Sequence, residues 1–181
     1  MKRSLRVLAW TLALAVLAGV LVWVNLPGRR PAALAPEAGE PLGDFRIRCL
    51  DGSEFTLSDQ RGKVTVINLW ATWCGPCVRE LPDFDRLQRE QPEEVIVLAV
   101  HSPAAASDVE AYLEGSDFRL RTAVDTDGSL AAHLGATAVL PQTFIIDPRG
   151  VVTWQAEGAI SYAELLQQVE KAKTGGNLTP G

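Results

Sequence analysis

Cysteine and histidine are scarce in this chain, three of one and two of the other in 181 residues. A structural zinc site takes four ligands, commonly a second Cys-x-x-Cys or a pair of histidines. Beyond Cys74 and Cys77 only Cys49, His101 and His133 remain, none paired with another, which weighs against a metal site. No metal and no cofactor are expected. Positive charge is also thin. Five of the seventeen Lys and Arg fall within the first thirty residues, leaving twelve against all twenty-two Asp and Glu, a net charge of about −10 on the remainder. Such a surface repels phosphate backbones and anionic headgroups, so nucleic acid is not an expected ligand. A second domain has no room, because 47% hydrophobic content over this length supplies one full core once the N-terminal segment is set aside.

That segment is where apolar residues concentrate. Lys2, Arg3 and Arg6 precede a run from Val7 to Val24 interrupted only by Thr11, and Pro27, Gly28, Arg29 and Arg30 follow it. About eighteen apolar residues cross a hydrocarbon layer as a helix, whereas the apolar region of a cleaved signal peptide spans about 7 to 15. The length favours a retained anchor. Cleavage stays open as the alternative, since Ala33 and Ala35 form an Ala-x-Ala pattern, although Pro36 directly after it suits a cut poorly. More positive charge before the run than after it points the N-terminus to the cytoplasm. The expected organisation is a transmembrane signal anchor over 1–26, a Pro/Ala/Gly-rich tether over 27–41, a folded domain over 42–174 and a flexible tail over 175–181. Either alternative exports the domain, to the outer face of the inner (cell) membrane or the periplasm, where disulfides persist.

Within the domain, Phe45, Ile47 and Cys49 alternate with Arg46 and Arg48, Asp51-Gly52 follows, and Phe55 and Leu57 alternate again. Period-two alternation around Asp-Gly predicts a hairpin. Val64 to Trp70 is apolar and rich in β-branched residues, as a strand buried on both faces requires. A helical pattern runs from Gly75 to about Arg89 with Pro82 inside it, predicted to kink it. Val95–Val100 is the next strand, and Ser107 with Glu110 forms a capping box opening a helix to about Glu114. A strand near 120–124, a helix near 129–134, a hairpin of 143–146 with 151–155 around Asp147-Pro148-Arg149-Gly150, and a helix over 162–172 complete the pattern. Alternating strands and helices predict an α/β fold: a mixed central sheet with helices on both faces.

Cys74-Gly75-Pro76-Cys77 stands between the buried strand and its helix. Two thiols at that spacing can close a disulfide across the first helical turn and so hold two electrons. A thiolate, not a thiol, attacks a disulfide. At a helix N-terminus the free amides and the macrodipole favour the anion, and Cys-x-x-Cys thiols of this kind titrate near 7 rather than about 8.5. The thiolate fraction at pH 7 rises roughly sixteenfold while intrinsic nucleophilicity falls about fivefold, a net gain of about threefold. The larger benefit is geometric. Cys77, one turn on, attacks the mixed disulfide at Cys74 intramolecularly. Cys74 is the expected nucleophile and Cys77 the resolving thiol; a static disulfide is the bland alternative.

Asn68-Leu69-Trp70-Ala71-Thr72-Trp73-Cys74-Gly75-Pro76-Cys77, Pro82 five residues later, and Leu140-Pro141-Gln142-Thr143-Phe144-Ile145-Ile146-Asp147 together resemble the thioredoxin superfamily. Within it, the chain is similar to the membrane-anchored TlpA-like group that includes the cytochrome c maturation thioredoxins. The resemblance spans about residues 40 to 173 and implies a thioredoxin-like fold with an N-terminal β-hairpin and an extra strand-helix insertion over 102–134. It implies that Pro141 is a cis-proline beside the Cys pair and that the backbone of Leu140 pairs with a substrate strand. Asn68 falls where cytosolic thioredoxins carry a buried acid. An amide cannot relay a proton, so Glu80, where TlpA-like proteins often carry an acid, becomes the candidate for acid-base help; the alternative is a solvated helix carboxylate. Gln142 departs from the group, which commonly has Thr there, or Glu in the maturation members.

Trp70 and Trp73 are expected to shield the pair and offer partners a flat apolar contact. Cys49 shares a face with Phe45 and Ile47 and is expected to pack as a small hydrophobe, with a regulatory disulfide left open by the odd cysteine count. His101 and His133 are expected to be surface or loop residues. The expected activity is that of a thiol-disulfide oxidoreductase reducing protein disulfides, since Gly-Pro between the cysteines is the dipeptide of thioredoxin, which lies near about −270 mV against about −120 mV for the oxidant DsbA. The resemblance implies a membrane dithiol electron donor and disulfide-containing exported clients, apocytochrome c among them. A disulfide oxidase or isomerase, a thiol peroxidase and a non-enzymatic binding module are the alternatives. The peroxidase lacks its Pro-Thr-rich loop around Cys74.

Overall fold

The computed structural model describes residues 41–102, 106–114 and 116–175. The expected anchor (1–26), all of the tether (27–41) but Pro41, and all of the tail (175–181) but Gly175 lie outside the described residues. Among the described residues no helix is long and apolar enough to cross a membrane.

The domain is organised around β3 (Val64–Trp70), in which all seven residues are buried. Its β-branched and apolar side chains suit a strand with protein on both faces. It lies in the middle of a five-stranded sheet ordered β5-β4-β3-β6-β7. β4 (Val95–His101) runs parallel to β3, and β5 (Arg121–Val124) parallel to β4. β6 (Gln142–Ile146) pairs antiparallel with β3, and β7 (Val152–Glu157) antiparallel with β6. The helices are α1 (Gly75–Glu90), α2 (Ala106–Leu113), α3 (Ser129–His133) and α4 (Tyr162–Lys173).

Alternation along β3 divides the core. Ile67 and Leu69 join Leu98, Val100, Phe144 and Ile146 on one face, covered by Phe55, Leu57 and by Leu130 and Leu134 around α3. Val64 and Val66 face the other way, against Phe84 and Leu87 of α1 and Leu165 and Val169 of α4. Trp70 continues that second face, with Cys77 and Leu81 of α1 and Val109 of α2. The mixed sheet with helices on both faces is therefore present. So is the N-terminal hairpin, β1 (Arg46–Arg48) against β2 (Glu54–Thr56) with Ile47 opposite Phe55. A bridge between Cys49 and Ala123 joins the hairpin to β5.

Two local expectations shift. Leu57 does not continue the hairpin strand but opens a 3-10 helix, Leu57–Gln60, because the Asp44 carboxylate accepts from both Ser58 N (2.8 Å) and Ser58 Oγ (2.8 Å) and draws the chain aside. The described part of α2 takes in Ala106, so Ser107 lies inside the helix and is not its cap. α1 continues through Pro82.

The β6–β7 turn depends on Asp147, whose buried carboxylate accepts from Arg149 N (2.9 Å) and Val151 N (3.0 Å) and pairs with the Arg149 guanidinium (2.7 Å). Asp147→Ala leaves those amides unpaired, and we expect a loss of about 2 kcal/mol, the scale of stranded buried donors, read as a lower urea midpoint at unchanged slope.

Candidate active site

β3 ends at Trp70 and α1 begins at Gly75, so the Cys pair sits where a buried strand delivers the chain to a helix. Cys74 is the N-cap of α1, in extended backbone (φ −89°, ψ 98°), and its Sγ accepts from Cys77 N at 3.3 Å. An N-cap side chain satisfies one of the helix's orphan amides, usually through oxygen; here sulfur takes that place. Pro76 stands in the first turn, where a missing N–H costs nothing. Cys74 and Cys77 form a disulfide with Cα atoms 5.3 Å apart. Cys74 is 7% exposed and Cys77 fully buried, so the first sulfur is the one a partner can reach.

The Leu140–Pro141 bond is cis, as the resemblance implied. Leu140 packs partly buried against the cluster that holds Cys74 and Cys77, bringing the loop before β6 to the pair. Gln142 fixes that loop. Its Nε2 donates to Thr137 Oγ1 (2.6 Å) and Glu157 Oε1 (3.2 Å), and its Oε1 accepts from Thr137 N (3.2 Å). A Thr here would be too short to span these partners.

Glu80, one turn beyond Cys77, is not a solvated helix carboxylate: it is only 3% exposed. Asn68 Nδ2 donates to Glu80 Oε1 (2.8 Å) and to Thr143 Oγ1 (3.3 Å), and Ile160 N donates to Glu80 Oε2 (3.2 Å). Burial pushes its carboxyl up to about 7, against the opposing pull of the Asn68 and Ile160 hydrogen bonds, with a small further push from Asp83. The place of the buried acid of cytosolic thioredoxins is thus held by an amide that grips an acid from the neighbouring helix. No positively charged partner faces Glu80 among these contacts, so desolvation prevails.

The two tryptophans differ. Trp73 is 74% exposed and offers the expected apolar contact. Trp70 is wholly buried and offers none, because it ends β3 beneath α2, packed against His101 and Tyr112. A cavity of about 300 Å³ opens beside Trp73, lined in part by Leu69, Val100, His101, Asp125 and Leu140. Cys49 is free and buried in the opposite face's core, and burial raises its thiol, in keeping with a packing role.

His101 departs most from expectation. It is 1% exposed, with Nε2 2.9 Å from Thr72 N and Nδ1 2.6 Å from Ser102 O. Sequence pattern ended the strand at Val100; β4 runs one residue further, in register with Trp70, and that extra residue turns the ring inward. His133 is half-buried, with Nε2 2.8 Å from Gly43 O and its ring edge-on to Phe45. It ties α3 to the segment before β1.

Comparison with known proteins agrees with this geometry. Residues 37–171 match the Redoxin family. The chain is 30% identical to the thiol-disulfide oxidoreductase ResA of Geobacillus thermodenitrificans, over 96% of this chain and 99% of that one. It is 30% identical to the thioredoxin-like protein YneN of Bacillus subtilis, over 74% of this chain and 79% of that one. Among solved structures, a DsbE-type thiol:disulfide interchange protein of Chlorobium tepidum superposes with TM-score 0.69 at 29% identity, covering 75% of this chain and 97% of that one. The exposed lipoprotein thioredoxin Etrx1 of Streptococcus pneumoniae superposes with TM-score 0.66 at 30% identity, covering 71% and 99%.

Because Glu80 holds its proton more tightly folded than unfolded, its contribution to stability is fully present below the unfolded value of about 4.5 and is lost as pH rises through about 7. Glu80→Gln removes that titration. Thermal melts of the oxidised protein should show the variant gaining on wild type between pH 5 and pH 8.5; a difference in melting temperature that stays constant across this range would contradict a buried, raised Glu80.

Proposed function

We propose that this protein, which belongs to the Redoxin family and works as a thiol-disulfide oxidoreductase, is held at the outer face of the cell membrane and reduces disulfides in exported proteins. The observation that carries the reading is the position of Cys74. Its sulfur is the N-cap of a sixteen-residue helix, partly accessible, with its partner thiol one turn behind and closed upon it.

The reaction follows from that position. The Cys74 thiolate, favoured by the amides and dipole at the start of α1, attacks one sulfur of a client disulfide and releases the other as thiolate. A covalent bond now joins Cys74 to the client. Cys77 gives up its proton and attacks Cys74 Sγ, the client leaves with its second sulfur reduced, and the Cys74–Cys77 disulfide closes. Cys77 is buried, away from the water that would otherwise take its proton, so a nearby proton acceptor speeds this step. We assign that role to Glu80, one turn along α1, whose carboxyl near about 7 can accept and return a proton at neutral pH. Trp73 and the cis-Pro141 loop, with the backbone of Leu140, form the surface that receives the client chain. A dithiol donor in the membrane returns the pair to its reduced form.

Export is supported by the apolar run Val7–Val24 and the charges that flank it. A relative at 30% identity is an exposed lipoprotein. Among exported clients, we propose apocytochrome c, from the resemblance to the maturation thioredoxins.

Three measurements test this. Cys77→Ser expressed in cells should trap clients as mixed disulfides with Cys74, released by reductant and absent when Cys74 is also replaced; failure to trap any protein would sink the reading. Glu80→Gln should lower kcat for disulfide reduction about a hundredfold with little change in KM, at the low end of proton-transfer catalysis. The midpoint potential should lie near about −270 mV, and a value above about −180 mV would assign the protein to disulfide oxidation or isomerisation instead.

A further inference from the structure

We propose that His101 is a positioning residue for the exchange reaction: in its neutral form protonated at Nδ1, it holds the loop that carries Trp73 and Cys74. The pairing of β3 with β4 ends at Trp70 and His101, and Ser102 N donates to Trp70 O (2.8 Å) as the last ladder bond. Beyond Trp70 the chain leaves the sheet, yet it must present Cys74 at the mouth of α1. Within Ala71–Cys74, Cys74 N donates to Ala71 O (3.1 Å), and Thr72 N donates to the His101 ring (2.9 Å). The imidazole thereby extends the hydrogen bonding of β4 into the active-site loop.

Partner chemistry settles which nitrogen carries the proton. A backbone N–H only donates, so Nε2 facing Thr72 must be the bare acceptor. A carbonyl only accepts, so Nδ1, 2.6 Å from Ser102 O, must be the donor. Both requirements select one tautomer. The ring cannot swing away without cost, since it is buried edge-on against Trp70 with centroids 4.9 Å apart. It also lines the cavity beside Trp73, together with Leu140. If Cys74 is the attacking sulfur, the premise on which this role rests, release of Thr72 disturbs both the sulfur's line of attack and the wall against which a client lies. Misplacement of reacting atoms by about 1 Å costs up to about a hundredfold in rate.

Two variants separate positioning from mere packing. In His101→Leu the bulk remains and the acceptor is gone; in His101→Gln an amide oxygen reaches the place of Nε2. With only two histidines in the chain, nitrogen NMR assigns each ring directly. We expect the His101 ring to show protonated Nδ1 and bare Nε2, and the Thr72 amide to be protected from exchange. In the Leu variant, Thr72 exchange should accelerate at least about tenfold, and alkylation of reduced Cys74 and kcat for disulfide reduction should each change by about tenfold. The Gln variant should return all three to within about threefold of wild type. A ring protonated at Nε2, or a folded Leu variant with unaltered Cys74 reactivity and kcat, overturns the role of His101. Should the Leu variant not fold, a Gln variant that leaves Thr72 exposed to exchange overturns it equally. Wild-type protein that reduces no protein disulfide overturns the premise about Cys74 instead, and does so without touching the NMR result.

Discussion

The backbone amide of Cys77 points at the sulfur of Cys74, and that contact at the head of α1 is the constraint the rest of the domain serves. A helix terminus stabilises an anion only over its first turn, so the sulfur must be held at the N-cap and nowhere else. β3 sets one end of the approach, because a strand buried on both faces and paired on both edges has little freedom to shift. α1 sets the other, pinned by Leu81, Phe84 and Leu87 in the core. Only the four residues between them need separate support, and a sheet that has run out of strand supplies it through the ring of His101.

Beneath the pair the domain accommodates a polar group that its apolar surroundings resist. Glu80 lies among buried residues, where the charged form is penalised, and two neutral donors, Asn68 and the Ile160 amide, offset only part of that penalty. The outcome is a carboxyl poised to change protonation near neutral pH. A cationic partner would have pinned it as a carboxylate, and full apolar surroundings would have kept it neutral. Its donors come from β3 and from the loop before α4, so the balance is struck by parts of the chain that meet only in the folded domain.

Much of the fold was legible beforehand, for reasons that are local. β3 declared itself by seven consecutive residues suited to burial, the two hairpins by Asp51-Gly52 and Asp147-Pro148-Arg149-Gly150, and α1 by apolar residues at every third position, Val78, Leu81, Phe84 and Leu87. The misplacements came from neighbours that the local pattern does not register. Leu57 continued a perfect alternation, but Asp44 reached across fourteen residues to Ser58 and turned the chain. Ser107 and Glu110 had the spacing of a cap, but the helix took in Ala106 before them.

At the site, the Cys-x-x-Cys pair and its place between strand and helix could be read directly, because spacing and hydrophobic period are properties of a short stretch of chain. Burial and protonation are not. Whether Glu80 faces water or Asn68 depends on a contact with Ile160 eighty residues away, and whether His101 lies at the surface or turns inward to Thr72 depends on the register of β4 against Trp70. The amino-acid order by itself determined which sulfurs can exchange and which elements carry them. Tertiary structure alone decided the environment that tunes them, since desolvation and hydrogen bonding are set by neighbours distant along the chain.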